Sequence, residues 1–291
     1  MSINKQTSVI NTVRGTSGIG VVAVALLVGM TAFVALFAGE TTGAGKVVGI
    51  SWVAFAAMAG AAPLGARSAG NERALTLVWG YGLASGAMVT SAAVFLLPQA
   101  FGLHPKIGGF GVAAGLLAGF GAHTVGHRFT HVDFGFDHTA IELSAHALSA
   151  GAIIGIIYGN MPELGPLLGL AIVSHKGPAG YAAARRLAAD GRSVSVLLLP
   201  AAGVGLTAIP SALIELPANQ TVNAAVFGFA AGVFLHVAMD FLPECELGGE
   251  VYEVAQVSDD AHSLLDRLRL HAVGSTAVGA VVVFLAWLSL S

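Results

Sequence analysis

Nine stretches of about 20 largely apolar residues run through this chain, at 18–38, 46–65, 76–97, 107–126, 138–159, 163–184, 194–215, 221–242 and 270–290. A stretch of that length and character spans a bilayer as a helix, because in lipid the backbone must satisfy its own hydrogen bonds. The period-two alternation that barrel strands need is absent. Composition agrees: 55% of the 291 residues are hydrophobic and 10% charged, with mean hydropathy +0.80, where a soluble domain carries roughly 25% charged residues. The 39 glycines suit close helix packing in lipid. The sequence predicts an all-α polytopic membrane protein.

The thirteen lysines and arginines orient it. With the N-terminus in the cytoplasm, ten fall on that side: Lys5, Arg14, Arg67, Arg73, Arg128, Arg185, Arg186, Arg192, Arg267 and Arg269. Lys46 and Lys106 fall outside, and Lys176 lies within a span. This bias predicts a multi-pass protein of the cell membrane with its N-terminus cytoplasmic and its C-terminus outside. The first span reads as a retained helix and not a cleaved signal, since its apolar run is long and no small-x-small site follows. Asn219–Thr221 ("NQT") offers a glycosylation acceptor on the outer side. The lone Cys245 excludes an internal disulfide and a cysteine metal cluster. A net charge of −3 gives no footing for nucleic acid. Two longer loops are expected, both cytoplasmic: the histidine-rich "GAHTVGHRFTHVDFGFDH" and the acidic stretch from Pro243 to Leu268.

The run "LAIVSHKGPAGYAAA" (Leu170–Ala184) places a histidine beside a lysine inside a span, where a charge costs about 2.5–3.5 kcal/mol. His146 opens "HALSAG" and His175 opens "HKGPAG", and the midpoint of the two falls at the "GNMPE" turn between Asn160 and Met161. Each histidine is then about 14 residues from the turn, roughly 21 Å along a helix. Antiparallel neighbours bring both imidazoles to one depth, an arrangement that suits a transition-metal ion. His138, Glu142 and His146 share a helix face at i, i+4, i+8, with Ser149 seven residues beyond Glu142. His236, Asp240 and Glu244 repeat that spacing in the eighth span, with Pro243 before the last. The candidate metal ligands are therefore His146, His175, Glu142, His138, His236 and Asp240, with Lys176 and Ser149 as accessory residues. A histidine in a membrane also serves simply to hydrogen-bond across helices, the plainer reading of His236. His123, His127 and His131 either bind metal loosely or are solvated loop residues. Gly111, Gly115 and Gly119 form a small-residue face for packing.

"HALSAG" followed by "HKGPAG" resembles the paired His-Asn-x-Pro-Glu-Gly motifs of the Zrt/Irt-like (ZIP) divalent-metal transporters, which occupy the fourth and fifth of that family's eight core helices. "LASGAMVTSAAVFLLPQA" (Leu83–Ala100) resembles the family's second core helix and "FAAGVFLHVAMDFLPE" (Phe229–Glu244) its seventh. The resemblance implies a ZIP-like core over 46–291, preceded at 1–45 by an N-terminal tail and one extra helix. It implies transport of a divalent transition metal, zinc first, toward the cytoplasm through a site between the fifth and sixth helices. No enzymatic activity and no tightly bound cofactor are expected; the metal is substrate, and the partners are that ion, the bilayer and, in some assemblies, a second copy.

The chain departs from the family where charge matters. The carboxylate that follows each motif histidine by four residues is here Ala150 and Ala179, the residue after each histidine is Ala147 and Lys176, and a further family glutamate aligns near Ala208. A protonated lysine about 6 Å from a divalent ion repels it by roughly 5 kcal/mol at an effective dielectric of about 20. Lys176 is thus expected to take the place of a second ion or to be neutral when metal enters, with Glu142 as its counter-ion; the first is the reading kept. The alternatives are a non-transporting ZIP-like sensor or scaffold and, on the facing histidines alone, a haem-binding protein. A serine protease built on Ser17 in "GTSG" lacks a histidine partner. Pro178 and Pro210 are expected to kink their helices along the path.

Overall fold

The computed structural model describes residues 3–37, 43–68, 74–129, 138–161, 175–217, 219–240 and 261–290, with Gly169, Val173, Leu242 and Pro243 in isolation. Among them there are helices and no strand. They are α1 (Ile3–Phe37), α2 (Ala44–Arg67), α3 (Ala74–Ser91), α4 (Leu97–Leu103), α5 (Pro105–Phe129), α6 (His138–Asn160), α7 (Lys176–Ala189), α8 (Leu198–Ser211), α9 (Gln220–Asp240) and α10 (Ala261–Leu290). Seven helical stretches among the described residues are long and apolar enough to cross a membrane: Gly18–Phe37, Ala44–Arg67, Val78–Leu103, Leu143–Asn160, Val194–Ser211, Gln220–Asp240 and Asp266–Ser289. The chain is an all-α, multi-pass membrane protein.

The expected span at 107–126 lies within α5, and the one at 163–184 falls partly on residues outside those described. The two expected loops are shorter than the sequence implied. Residues 121–129 continue α5 and residues 261–268 open α10, because a helix that leaves the apolar layer can run on in water wherever no proline or glycine stops it. For the same reason α7 extends past residue 184 to Ala189, ending at Gly191, whose φ of +68° only glycine adopts readily.

Between α3 and α4 the helix widens into a π-turn over Ala92–Leu96, in which Leu97 N–H donates to Ala92 O five residues back. Pro98 follows it and has no N–H to continue the ladder. A π-turn of this kind re-registers a helix at the cost of poorer hydrogen bonding.

The packing sorts the helices into two groups. One holds α3, α4, α5, α9 and α10; the other holds α1, α2, α6, α7 and α8. They meet chiefly where α3 touches α7 and α9 touches α6. Within each group the largest contacts join helices that run the same way. Ser275 Oγ donates to Val78 O at 3.1 Å while Gly279 lies against Leu83, so α3 and α10 are parallel. Thr207 Oγ1 donates to Leu148 O at 2.6 Å and Ser211 Oγ to Ala152 O at 3.1 Å, so α6 and α8 are parallel. By the same test α5 runs with α9, α2 with α7, and α1 with α8. Each pair stands an even number of spans apart in the expected order of nine, so the observed directions agree with that alternation.

The α5–α9 contact explains the glycine face. Gly111 lies against Gly228, Gly115 against Gly232, and Gly119 beneath the His236 ring. A Cβ at Gly115 would overlap Phe229 O, whereas Gly121 on the same helix faces open space. Gly115→Val should therefore destabilise the protein by about 1–3 kcal/mol and Gly121→Val hardly at all, as read from melting in detergent.

Candidate metal centre

α6 presents His146 half-buried, with small residues on either side that let neighbouring helices come close. Ala147 is fully buried against Gly203 of α8, and Ala150 is 6% exposed. His175 precedes the first turn of α7 in a turn conformation (φ −76°, ψ −10°). Pro178 is the third residue of that helix, where a missing N–H costs nothing, and Ala179 N–H donates to His175 O at 3.0 Å. Pro178 thus stands in the first turn of α7, and the run just before His175, on which the expected kink also bears, lies largely outside the described residues. Pro210 lies inside α8.

The two imidazoles meet. His146 Nε2 and His175 Nε2 are 3.0 Å apart and share one hydrogen bond, one ring donating and the other accepting. Their centroids are 5.2 Å apart and their planes inclined at 57°. His175 is fully buried, and Phe234 of α9 approaches it edge-on, centroids 5.9 Å apart at 68°. Lys176, 1% exposed, is among the largest fully buried side chains, and its Nζ has no hydrogen-bond partner among the described residues. A buried lysine thus follows directly in the chain on one of two facing imidazoles.

Two imidazole nitrogens on one tetrahedral zinc stand about 3.3 Å apart, given Zn–N of about 2.0–2.1 Å. The observed pair needs to open by only a few tenths of an ångström to accept an ion in place of its hydrogen bond. Among the described residues no group of three or more His, Cys, Asp or Glu side chains converges, so the candidate ligands seen together there are the two histidines.

Of the remaining candidates, those described stand apart from the pair. His138 opens α6 and Glu142 stands one turn on, but both side chains lie outside the described residues, as do those of His123 and His127; His131 and Glu244 lie outside altogether. Ser149 Oγ bonds back to Ala145 O at 2.7 Å on the exposed side of α6. His236 sits on Gly119 and is 3.5 Å from Asp240, the latter's side chain 41% exposed. Two residues before it on α9, Phe234 faces the histidine pair; His236 faces α5. Ala208, where the family resemblance places a glutamate, is buried against Gly155. Asn219 Oδ1 accepts from Val222 N–H at 2.8 Å and caps α9.

Sequence reasoning missed Phe234 and the π-turn. Pro98 was the one available signal for the second, and nothing marks one phenylalanine among 15 as the neighbour of a histidine. In comparisons with known proteins, no family model matches the chain and no curated protein matches it significantly.

Proposed function

We propose that this protein moves a divalent transition-metal ion, zinc first, across the cell membrane toward the cytoplasm, with His146 and His175 as the central ligands. The observation that carries the reading is the 3.0 Å approach of the two imidazoles from separate helices. Imidazole is a good ligand for zinc, copper, iron and nickel. A site with two protein ligands leaves coordination positions open, which favours release as well as capture. The ZIP-like motifs supply the transport class and its direction toward the cytoplasm, and the lysine and arginine bias supplies the orientation of the chain in the membrane.

Lys176 sets the number of ions. Its ammonium stands next in the chain to His175 and within electrostatic reach of His146, and it repels each arriving cation. With alanine at both motif carboxylate positions, one ion and the lysine fill the space that two ions would share. Zinc-dependent uptake into vesicles holding the purified full chain tests the activity. Titration of the same protein should give one tight central ion per chain after the histidine-rich loop is neutralised by substitution. Two tight central ions would overturn the role given to Lys176.

A further inference from the structure

Beside His146 lies a small cavity of about 20 Å³, lined by His146, Ala150 and Ile153 of α6, Leu96 of the π-turn, and Ala230, Val233 and Phe234 of α9. It has room for one water. Apart from His146, its lining side chains are all apolar, and none carries an oxygen. Phe234 is 5% exposed and closes the cavity against His175 as well. It belongs to the other helix group, and among the lining residues of that group it is the one whose ring also meets His175.

We infer that Phe234 is a specificity-determining residue: with the apolar wall around it, it forces an arriving ion to shed its water at the histidine pair, so that the centre takes imidazole-seeking transition metals and rejects magnesium and calcium. This rests on the metal-transport reading. Magnesium dehydrates reluctantly, usually keeps several waters and looks for oxygen ligands in an octahedron. The described wall offers no side-chain oxygen and no space for a hydration shell. A transition-metal ion gains two imidazole nitrogens in exchange for its lost waters. Removing the ring opens space for several waters next to His175, and a partly hydrated ion can then enter. Discrimination here is built by excluding the wrong ion as much as by holding the right one.

The test uses the full chain in phosphatidylcholine vesicles and measures zinc uptake against increasing magnesium, with magnesium entry followed by an internal indicator. In the wild type, excess magnesium should leave zinc uptake unchanged. In Phe234→Ala the same excess of magnesium should lower zinc uptake about tenfold or more, and magnesium should enter. Phe234→Leu keeps an apolar plug and should keep the selectivity. If Phe234→Ala gives no folded protein, Phe234→Val is read in the same way. Wild-type selectivity in the small variants overturns the role of Phe234; loss of zinc uptake in His146→Ala then leaves the metal reading standing. Zinc uptake equal in wild type and His146→Ala overturns both.

Discussion

Zinc uptake at matched membrane abundance is expected to fall to the level of empty vesicles when either His146 or His175 is replaced by alanine. Each variant removes one of the two candidate ligands, and the motif position four residues on is alanine in both cases, so neither motif holds a carboxylate of its own that could substitute. The loss should exceed the 10–100-fold typical of changes to residues that only orient a ligand. A structural role for the pair makes a different prediction. The two rings share one hydrogen bond, with a net worth of about 1 kcal/mol, so each alanine variant should lose only that much stability plus whatever the cavity adds at the fully buried His175. Glutamine at position 175 separates the two roles, since it can still hydrogen-bond to His146 but is a poor ligand for a transition metal. His175→Gln should melt near wild type and still fail to take up zinc. His123→Ala, at the end of α5, should lower uptake only modestly. Uptake near wild type in both alanine variants would sink the transport-site assignment and favour a non-transporting membrane protein.

The contact of His146 with His175 agrees with the expectation from their equal spacing about the turn, although most of the run that joins the turn to His175 lies outside the described residues. Equal distance from a turn sets equal depth when antiparallel helices flank it, not which faces meet. Seven of the nine expected spans were legible, since lipid leaves an apolar segment of that length little choice but a helix. What helical period cannot tell is which neighbour a face meets. His146 and Ala150 share a face that opens on the cavity. His175 and Ala179 share the same spacing, yet Ala179 packs with Met58 and Ala201. His236 has the spacing of a ligand set but rests on a glycine of α5, because α9 turns a different residue, Phe234, toward the centre. The π-turn is hidden for another reason: it inserts one residue into a helix without altering composition or hydropathy. The glycines of α5 were correctly read as a packing face, though their partner on α9, with glycines at the matching spacing, was not.

Restoring the missing carboxylates separates the two motif positions. Ala150 lines the cavity one turn from His146, so Ala150→Glu delivers a negative charge to the ion's surroundings. A carboxylate about 6 Å from a divalent ion attracts it by roughly 5 kcal/mol at an effective dielectric of about 20, and the same charge would offset Lys176. Zinc binding to Ala150→Glu should tighten at least tenfold while turnover slows, because an ion held more firmly leaves more slowly. Ala179 is 3% exposed and packed among apolar neighbours on α2 and α8. Glutamate there adds overpacking of about 1–3 kcal/mol and buries a carboxylate, a penalty of several kcal/mol more in proteins generally, which pairing with Lys176 one turn before it would offset only in part. Ala179→Glu should therefore lower the melting temperature and the yield of folded protein without improving affinity. Calorimetric zinc titration beside thermal unfolding in detergent measures both properties on one preparation. Equal tightening in the two variants would mean that α7 turns Ala179 toward the ion after all, and an unchanged affinity in Ala150→Glu would place the ion away from the cavity beside His146.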